Sequence, residues 1–265
     1  MNDTLTMTQL DVADIKLPVW RGGKGKPLLF LDGGDGFHRA AAWREMLARD
    51  WDVHAPKYPG YGGVGFADHV RGVNDLALLC LEYLEQQKLS DVLLVGASFG
   101  GWVALELAIR SSALISGLVL IDPVGIKVGG RTEQEIADIY SALPADKIKS
   151  LYATDEHRQF DYSDLPDGEL ASIVQDREAE TFYGWKPFFH NPTLDRWLFR
   201  VKKPTQFIWG AEDKFVTEAY GRKFAARVQG SKFAVIDGAG HYPHVERPEA
   251  TYAEVKRFAA QLSKA

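Results

Sequence analysis

Ser98 stands in Gly96-Ala97-Ser98-Phe99-Gly100-Gly101, directly after the apolar run Val92-Leu93-Leu94-Val95 and directly before Trp102-Val103-Ala104-Leu105-Glu106-Leu107-Ala108. A serine framed by small residues between a strand and a helix has its hydroxyl lifted above the sheet. The helix N-terminus then aims backbone N–H groups at whatever reacts there. The chemistry this permits is nucleophilic attack with a covalent intermediate. The plainer alternative is a glycine-rich turn in which the serine merely caps the helix. The strand before it and the helix after it favour the first reading.

A serine hydroxyl is a weak nucleophile without a base in contact and an acid behind that base. Of the seven histidines, His38, His54, His69, His157 and His190 sit in contexts that suggest surface or packing roles. His241 lies in Asp237-Gly238-Ala239-Gly240-His241, just past the last strand-like run. The glycines there allow a sharp return over the serine. His244, three residues on, is its rival. For the acid, Asp213 follows Phe207-Ile208-Trp209-Gly210 and so sits past a strand end on the same rim. Glu212 and Asp122 compete with it, the latter closing Val119-Leu120-Ile121-Asp122-Pro123. Ser98, Asp213 and His241 fall in the chain order of a serine–acid–histidine triad on an α/β sheet.

A tetrahedral intermediate also needs donors for its oxyanion. The Phe99 N–H is one by position. The second is expected from Leu31-Asp32-Gly33-Gly34-Asp35-Gly36, with the Gly34 N–H as the choice.

The elements that must carry these groups alternate along the chain. Strand-like runs are 28–31, 53–55, 92–95, 118–121, 206–209 and 233–236, and Leu10 to Trp20 suggests an edge hairpin. Helix-like runs are 40–49, 70–87, 99–110, 217–228 and 248–262. Near-continuous apolar strands separated by helices imply a doubly wound, mostly parallel α/β sheet. The rhythm breaks between Val124 and Lys202, where helix-prone pieces such as 132–136 and 169–181 replace strands. Residues 124–202 therefore read as a helical cap inserted into a core of 1–123 and 203–265. Such an insertion lies over the C-terminal strand ends, where open sheets bind ligands. It is rich in aromatics from Tyr140 and Phe160 to Trp197. Most are expected to pack the insertion onto the core. Trp185, Phe188 and Phe189, with Asp32 below, are the candidates for lining an apolar or aromatic substrate pocket.

Composition narrows the alternatives. The chain has 265 residues and a net charge of −5, with no basic footprint for nucleic acid and no polybasic membrane patch. Its one cysteine, Cys80, cannot form an internal disulfide and lies in the apolar stretch 76–81. The polar start Met1-Asn2-Asp3-Thr4 lacks a signal-peptide pattern, and no apolar run has membrane-spanning length, so a soluble cytoplasmic protein is expected. No zinc-type ligand spacing appears, and the serine chemistry needs no cofactor. Gly60-Tyr61-Gly62-Gly63-Val64-Gly65 matches a dinucleotide glycine pattern in letters. It lies past Pro56 and Pro59 rather than at a strand-to-helix turn, which argues against a nicotinamide oxidoreductase.

Taken with Tyr58-Pro59-Gly60-Tyr61-Gly62, Asn191-Pro192-Thr193-Leu194, the run Pro204 to Asp213, Gly240-His241 and Glu246-Arg247-Pro248, the chain resembles the α/β-hydrolase superfamily. The likeness is greatest to small bacterial members with a helical cap, which include esterases and carbon–carbon bond hydrolases. It implies hydrolysis of a small carboxylic ester through an acyl-enzyme, with cleavage of a diketone-like ring-cleavage product as the alternative. A ligand receptor that kept the site without turnover is a reading of a different class. Two departures stand out: Asp32-Gly33 where the family usually has His-Gly, and Ala97 where it often has histidine or asparagine. Ser98 argues against the dehalogenases and epoxide hydrolases of this fold, which use aspartate.

Overall fold

The computed structural model describes residues 5–33, 39–111, 113–130, 132–139, 141, 144–159 and 162–262. Eight strands form one sheet: β1 (Thr6–Val12), β2 (Ile15–Gly22), β3 (Lys26–Leu31), β4 (Trp51–Pro56), β5 (Val92–Ala97), β6 (Ile115–Ile121), β7 (Thr205–Gly210) and β8 (Lys232–Ile236). Their order is β1-β2-β4-β3-β5-β6-β7-β8. The hairpin β1-β2 pairs antiparallel and joins β4 antiparallel, while every pairing from β4 through β8 is parallel. The doubly wound, mostly parallel sheet expected from the sequence is thus the observed one, with its hairpin at one edge.

Both faces of the sheet are covered, which explains the near-continuous apolar strands. Leu29, Leu31, Leu94, Leu118, Leu120, Phe207 and Trp209 point into one core with α2 (Val73–Gln86), α3 (Phe99–Arg110) and α7 (Glu218–Ala225). Leu28, Phe30, Leu93, Val95, Val119, Ile121 and Ile208 alternate into a second core with α1 (Ala41–Leu47) and α8 (Pro248–Leu262). The period of two along each strand divides one apolar run between two layers. Helix α2 starts three residues later than its apolar pattern suggests. The Asp75 carboxylate accepts from the Arg71 and Gly72 N–H groups and so caps its first turn.

Between β6 and β7 the chain forms α4 (Pro144–Leu151), α5 (Asp155–Arg158), α6 (Asp167–Gly184) and short 3-10 turns, with only isolated bridges at Gly125–His190 and Ile136–Val216 among the described residues. The helix expected at 132–136 is not there. Ile136 bridges to Val216 instead, Lys127 donates to the Glu133 carbonyl, and the Glu135 carboxylate accepts from the Val128 N–H. Tertiary contacts override local helix preference at this point. The return to the core is anchored by Asn191, whose Nδ2 donates to Glu106 Oε1 at 2.7 Å while its Oδ1 accepts from the Thr193 N–H and hydroxyl. Glu106 is a fully buried residue of α3, the helix that follows Ser98, and also accepts from Trp102 and Arg110. No helix among the described residues is long and apolar enough to cross a membrane.

Candidate active site

Ser98 links β5 to α3 with φ 50° and ψ −118°, a positive φ that a non-glycine residue adopts at a cost. The neighbours make the turn possible. A Cβ on Gly96 would lie 2.6 Å from the Gly100 carbonyl oxygen, and one on Gly100 only 2.1 Å from that of Leu31. The Ser98 N–H donates to the Ile121 carbonyl at 2.8 Å, tying the turn to β6. The hydroxyl therefore stands at the C-terminal edge of the sheet over the start of α3.

The acid and the base reach it from the ends of β7 and β8, beyond β6. Gly210 closes β7, and a Cβ there would meet the Gly240 carbonyl oxygen at 1.9 Å. That close approach lets the loop after β8 lie against the loop after β7, joined by a 2.9 Å bond from the Glu212 N–H to the Ala239 carbonyl. Glu246 holds the same loop from below. Its Oε2 accepts from the Gly240 N–H at 2.6 Å, and its Oε1 from the Ala153 and Thr154 N–H groups at 2.9 Å each. The His241 N–H donates to the Leu151 carbonyl at 2.8 Å. In that setting His241 Nε2 lies 2.7 Å from Ser98 Oγ, and His241 Nδ1 lies 2.8 Å from Asp213 Oδ2. All three residues are buried. The second Asp213 oxygen accepts from the Phe215 and Val216 N–H groups at 2.8 and 3.0 Å. The Phe215 ring meets the imidazole edge-on at 4.7 Å.

The competing residues have other surroundings. Glu212 is exposed. His244 is fully buried among Phe30, Trp43 and Tyr242 at 6.1, 5.8 and 5.9 Å, with neither ring nitrogen hydrogen-bonded. Burial, with the charges of His241 and Arg44, pushes its pKa down to about 3, so it stays neutral. Asp122 is fully buried and accepts from the Gly210 N–H at 3.0 Å. Among the other histidines, His54 is buried against Tyr83 and Asp52, and His38 lies outside the described residues. Burial pushes the Cys80 thiol up to about 12, consistent with a packing role.

Phe99 is the first residue of α3, so its N–H has no partner within the helix. Gly34 lies outside the described residues. The neighbouring Gly33 presses on the turn: a Cβ there would come within 2.6 Å of the Phe99 Cβ. Asp32 is buried and its Oδ1 accepts from the Gly33 N–H at 2.9 Å, bracing the loop from inside. Arg44 is buried nearby. Burial lowers the pKa of its guanidinium, and the charges of Asp32 and Glu45 oppose that shift. Sequence reasoning missed this cationic neighbour of Asp32, because α1 supplies it from beyond the loop.

Trp185 and Phe188 line a cavity of about 400 Å³ with Ile126, Ile136 and His190, and none of Ser98, Asp213 or His241 borders it. Phe189 is fully buried and packs on Phe215 at 5.6 Å, one ring removed from the imidazole. Tyr140 and Phe160 lie outside the described residues. The glycine-rich run from Gly60 forms turns after β4, with the Gly60 N–H donating to the Val64 carbonyl, and no helix starts there before Val73. A dinucleotide phosphate would find no helix N-terminus at that loop.

Residues 28–255 match the model of the alpha/beta hydrolase family. The chain belongs to that family. Esterase YbfF of Escherichia coli is 25% identical over 209 residues, covering 74% of this chain and 78% of that protein. The 2-hydroxy-6-oxo-6-(2'-aminophenyl)hexa-2,4-dienoic acid hydrolase of Metapseudomonas resinovorans is 26% identical over 253 residues, covering 86% and 81%. Among solved structures, esterase RhEst1 from Rhodococcus sp. ECU1013 superposes with a TM-score of 0.76 at 19% identity, covering 98% of this chain and 99% of that one. At that identity the last likeness speaks for the fold alone. This alpha/beta hydrolase is an enzyme of the hydrolase class.

Proposed function

We propose that this hydrolase cleaves a small carboxylic ester through an acyl-enzyme on Ser98. The reading rests on the contacts of 2.7 Å from Ser98 Oγ to His241 Nε2 and 2.8 Å from His241 Nδ1 to Asp213 Oδ2. Ser98 Oγ attacks the ester carbonyl as its proton passes to His241 Nε2. The carbonyl oxygen becomes an oxyanion facing the Phe99 N–H, with the Gly34 N–H as the expected second donor. As the tetrahedral centre collapses, the C–O bond breaks and His241 returns the proton to the departing alcohol. Water, deprotonated by the same imidazole, then releases the acid and restores Ser98. Asp213 holds the ring and supports its transient positive charge. Residues 124–202 act as a helical cap over this rim, and its aromatic content favours an apolar or aromatic acyl or alcohol group.

A panel of p-nitrophenyl esters of graded acyl length, run on wild type and Ser98→Ala, tests the reading. Wild type turns over many times and is labelled by a fluorophosphonate, and Ser98→Ala loses both. Normal labelling of the alanine variant would remove Ser98 from the mechanism, and tight ligand binding without product would make the protein a receptor.

Carbon–carbon cleavage is the second reading, supported by the relative from Metapseudomonas resinovorans. Such a substrate brings a carboxylate. In the insertion Arg158 is engaged with Asp155 and the Tyr152 carbonyl, and Arg177 with the Tyr162 hydroxyl. Faster turnover of a vinylogous diketone than of any ester in the panel would favour this reading over the first.

A further inference from the structure

A third carboxyl lies behind the serine, histidine and aspartate. Asp122 directly follows β6 with φ 42° and is fully buried. Its Oδ1 accepts from the Gly210 N–H at 3.0 Å, while its Oδ2 is buried and accepts from no N–H or O–H donor. A carboxylate oxygen of Asp122, one of Asp213 and a ring nitrogen of His241 all lie within 4.8 Å of one another.

Two buried carboxylates this close repel each other strongly, which favours one of them holding a proton. The proton goes to the one with fewer donors. Asp213 accepts from two backbone N–H groups and from the imidazole. Asp122 accepts from one N–H only. The charged or titratable groups acting on Asp122 are Asp213, past β7, and His241 and Glu246, past β8. Both acids among them repel a second negative charge. Burial first, then the Asp213 charge and a hydrogen bond with it, push the Asp122 carboxyl well above the ordinary carboxylate range.

We propose that Asp122 is a positioning residue that keeps its proton on Oδ2 and donates it to the Asp213 carboxylate, fixing the orientation in which Asp213 Oδ2 faces His241. This deepens the triad reading above and rests on it. A neutral hydrogen bond from behind locks the plane of Asp213 without adding a second negative charge beside the imidazole. Held ionised, Asp122 would favour the imidazolium and keep the base occupied at higher pH.

The test uses Asp122→Asn and Asp122→Leu on the full chain. Asparagine keeps an acceptor for the Gly210 N–H and a donor toward Asp213, so it mimics the neutral acid. It should retain ester turnover within about tenfold, with the acidic limb of kcat/KM unmoved. Leucine removes the donor to a charged acceptor and should lower kcat by about 10- to 100-fold with little change in KM. An infrared difference spectrum, wild type minus Asp122→Asn at pH 7, should show a protonated-carboxyl C=O band. Absence of that band, an acidic limb moved to lower pH in Asp122→Asn, or equal losses in both variants would overturn the proposal. If the leucine variant does not fold, the band and the asparagine pH profile decide alone. The band needs no turnover, whereas wild type resisting the fluorophosphonate would sink the triad reading, so the two failures are distinguishable.

Discussion

At the scale of single residues, the site depends on which nitrogen and which oxygen meet. His241 uses both ring nitrogens, one on Ser98 and one on Asp213. Asp213→Asn keeps the shape but presents an amide N–H or a weaker acceptor to Nδ1, which favours the wrong tautomer. A loss of about 10⁴ in kcat is expected, with KM nearly unchanged, read from ester hydrolysis at saturating substrate. A loss under tenfold would mean that the carboxylate at 213 does not orient the ring. Residue type and place after a strand point to Ser98, Asp213 and His241 in the sequence. The structure brings those three side chains into contact. The Asp32–Arg44 relation was not legible, because no local pattern links a loop after β3 to a helix face.

At the scale of elements, the tight turn at Ser98 is a packing problem before it is a chemical one. Gly100→Ala would drive a Cβ into the Leu31 carbonyl oxygen, 2.1 Å away, at the junction of β3 and α3. Overpacking of this kind costs about 1–3 kcal/mol or more. The urea midpoint should fall accordingly, and turnover should fall with it, since β3 leads into the loop proposed to supply an oxyanion donor. Gly168→Ala, in α6 where a Cβ would meet nothing within 4 Å, is the control and should raise stability by at most about 1 kcal/mol. An equal effect at both sites would refute the packing argument. Helices 99–110 and 248–262 have the ends their apolar spacing implies. The stretch 132–136 does not, because its carboxylate and carbonyl groups are committed to residues 127 and 128 and its isoleucine to Val216.

For the whole molecule, buried groups of opposite kind shape the pH dependence of stability. An unfolded His244 takes up a proton near 6.5, but the folded one does so only near 3. Between those values the unfolded chain binds more protons, so stability falls on acidification, by up to about 1.4 kcal/mol per pH unit. Asp122 works the other way. Above 3.8 its unfolded carboxyl releases a proton that the folded state keeps, so that contribution falls as pH rises. The two slopes oppose each other in the wild type, and single variants separate them. Relative to wild type, His244→Leu should lose less stability between pH 6.5 and 4, measured by urea unfolding at closely spaced pH values. Parallel curves for the two proteins would show that His244 titrates normally when folded.

The sequence by itself determined the α/β alternation, the strand–serine–helix turn and the family. Each is written in near neighbours: apolar runs set strands, and small residues around Ser98 admit a turn that larger ones would block. Tertiary structure alone brings the favoured histidine and aspartate, distant in the chain, into contact with the serine and with each other. Ser98 and His241 are 143 positions apart and His241 and Asp213 are 28 apart. In sequence the glycines before it favour His241 over His244, and its place past the Phe207-to-Gly210 run favours Asp213 over Asp122. The two histidines part company because Gly210 and Gly240 let two loops touch, so one imidazole meets the serine while the other turns into an aromatic cage.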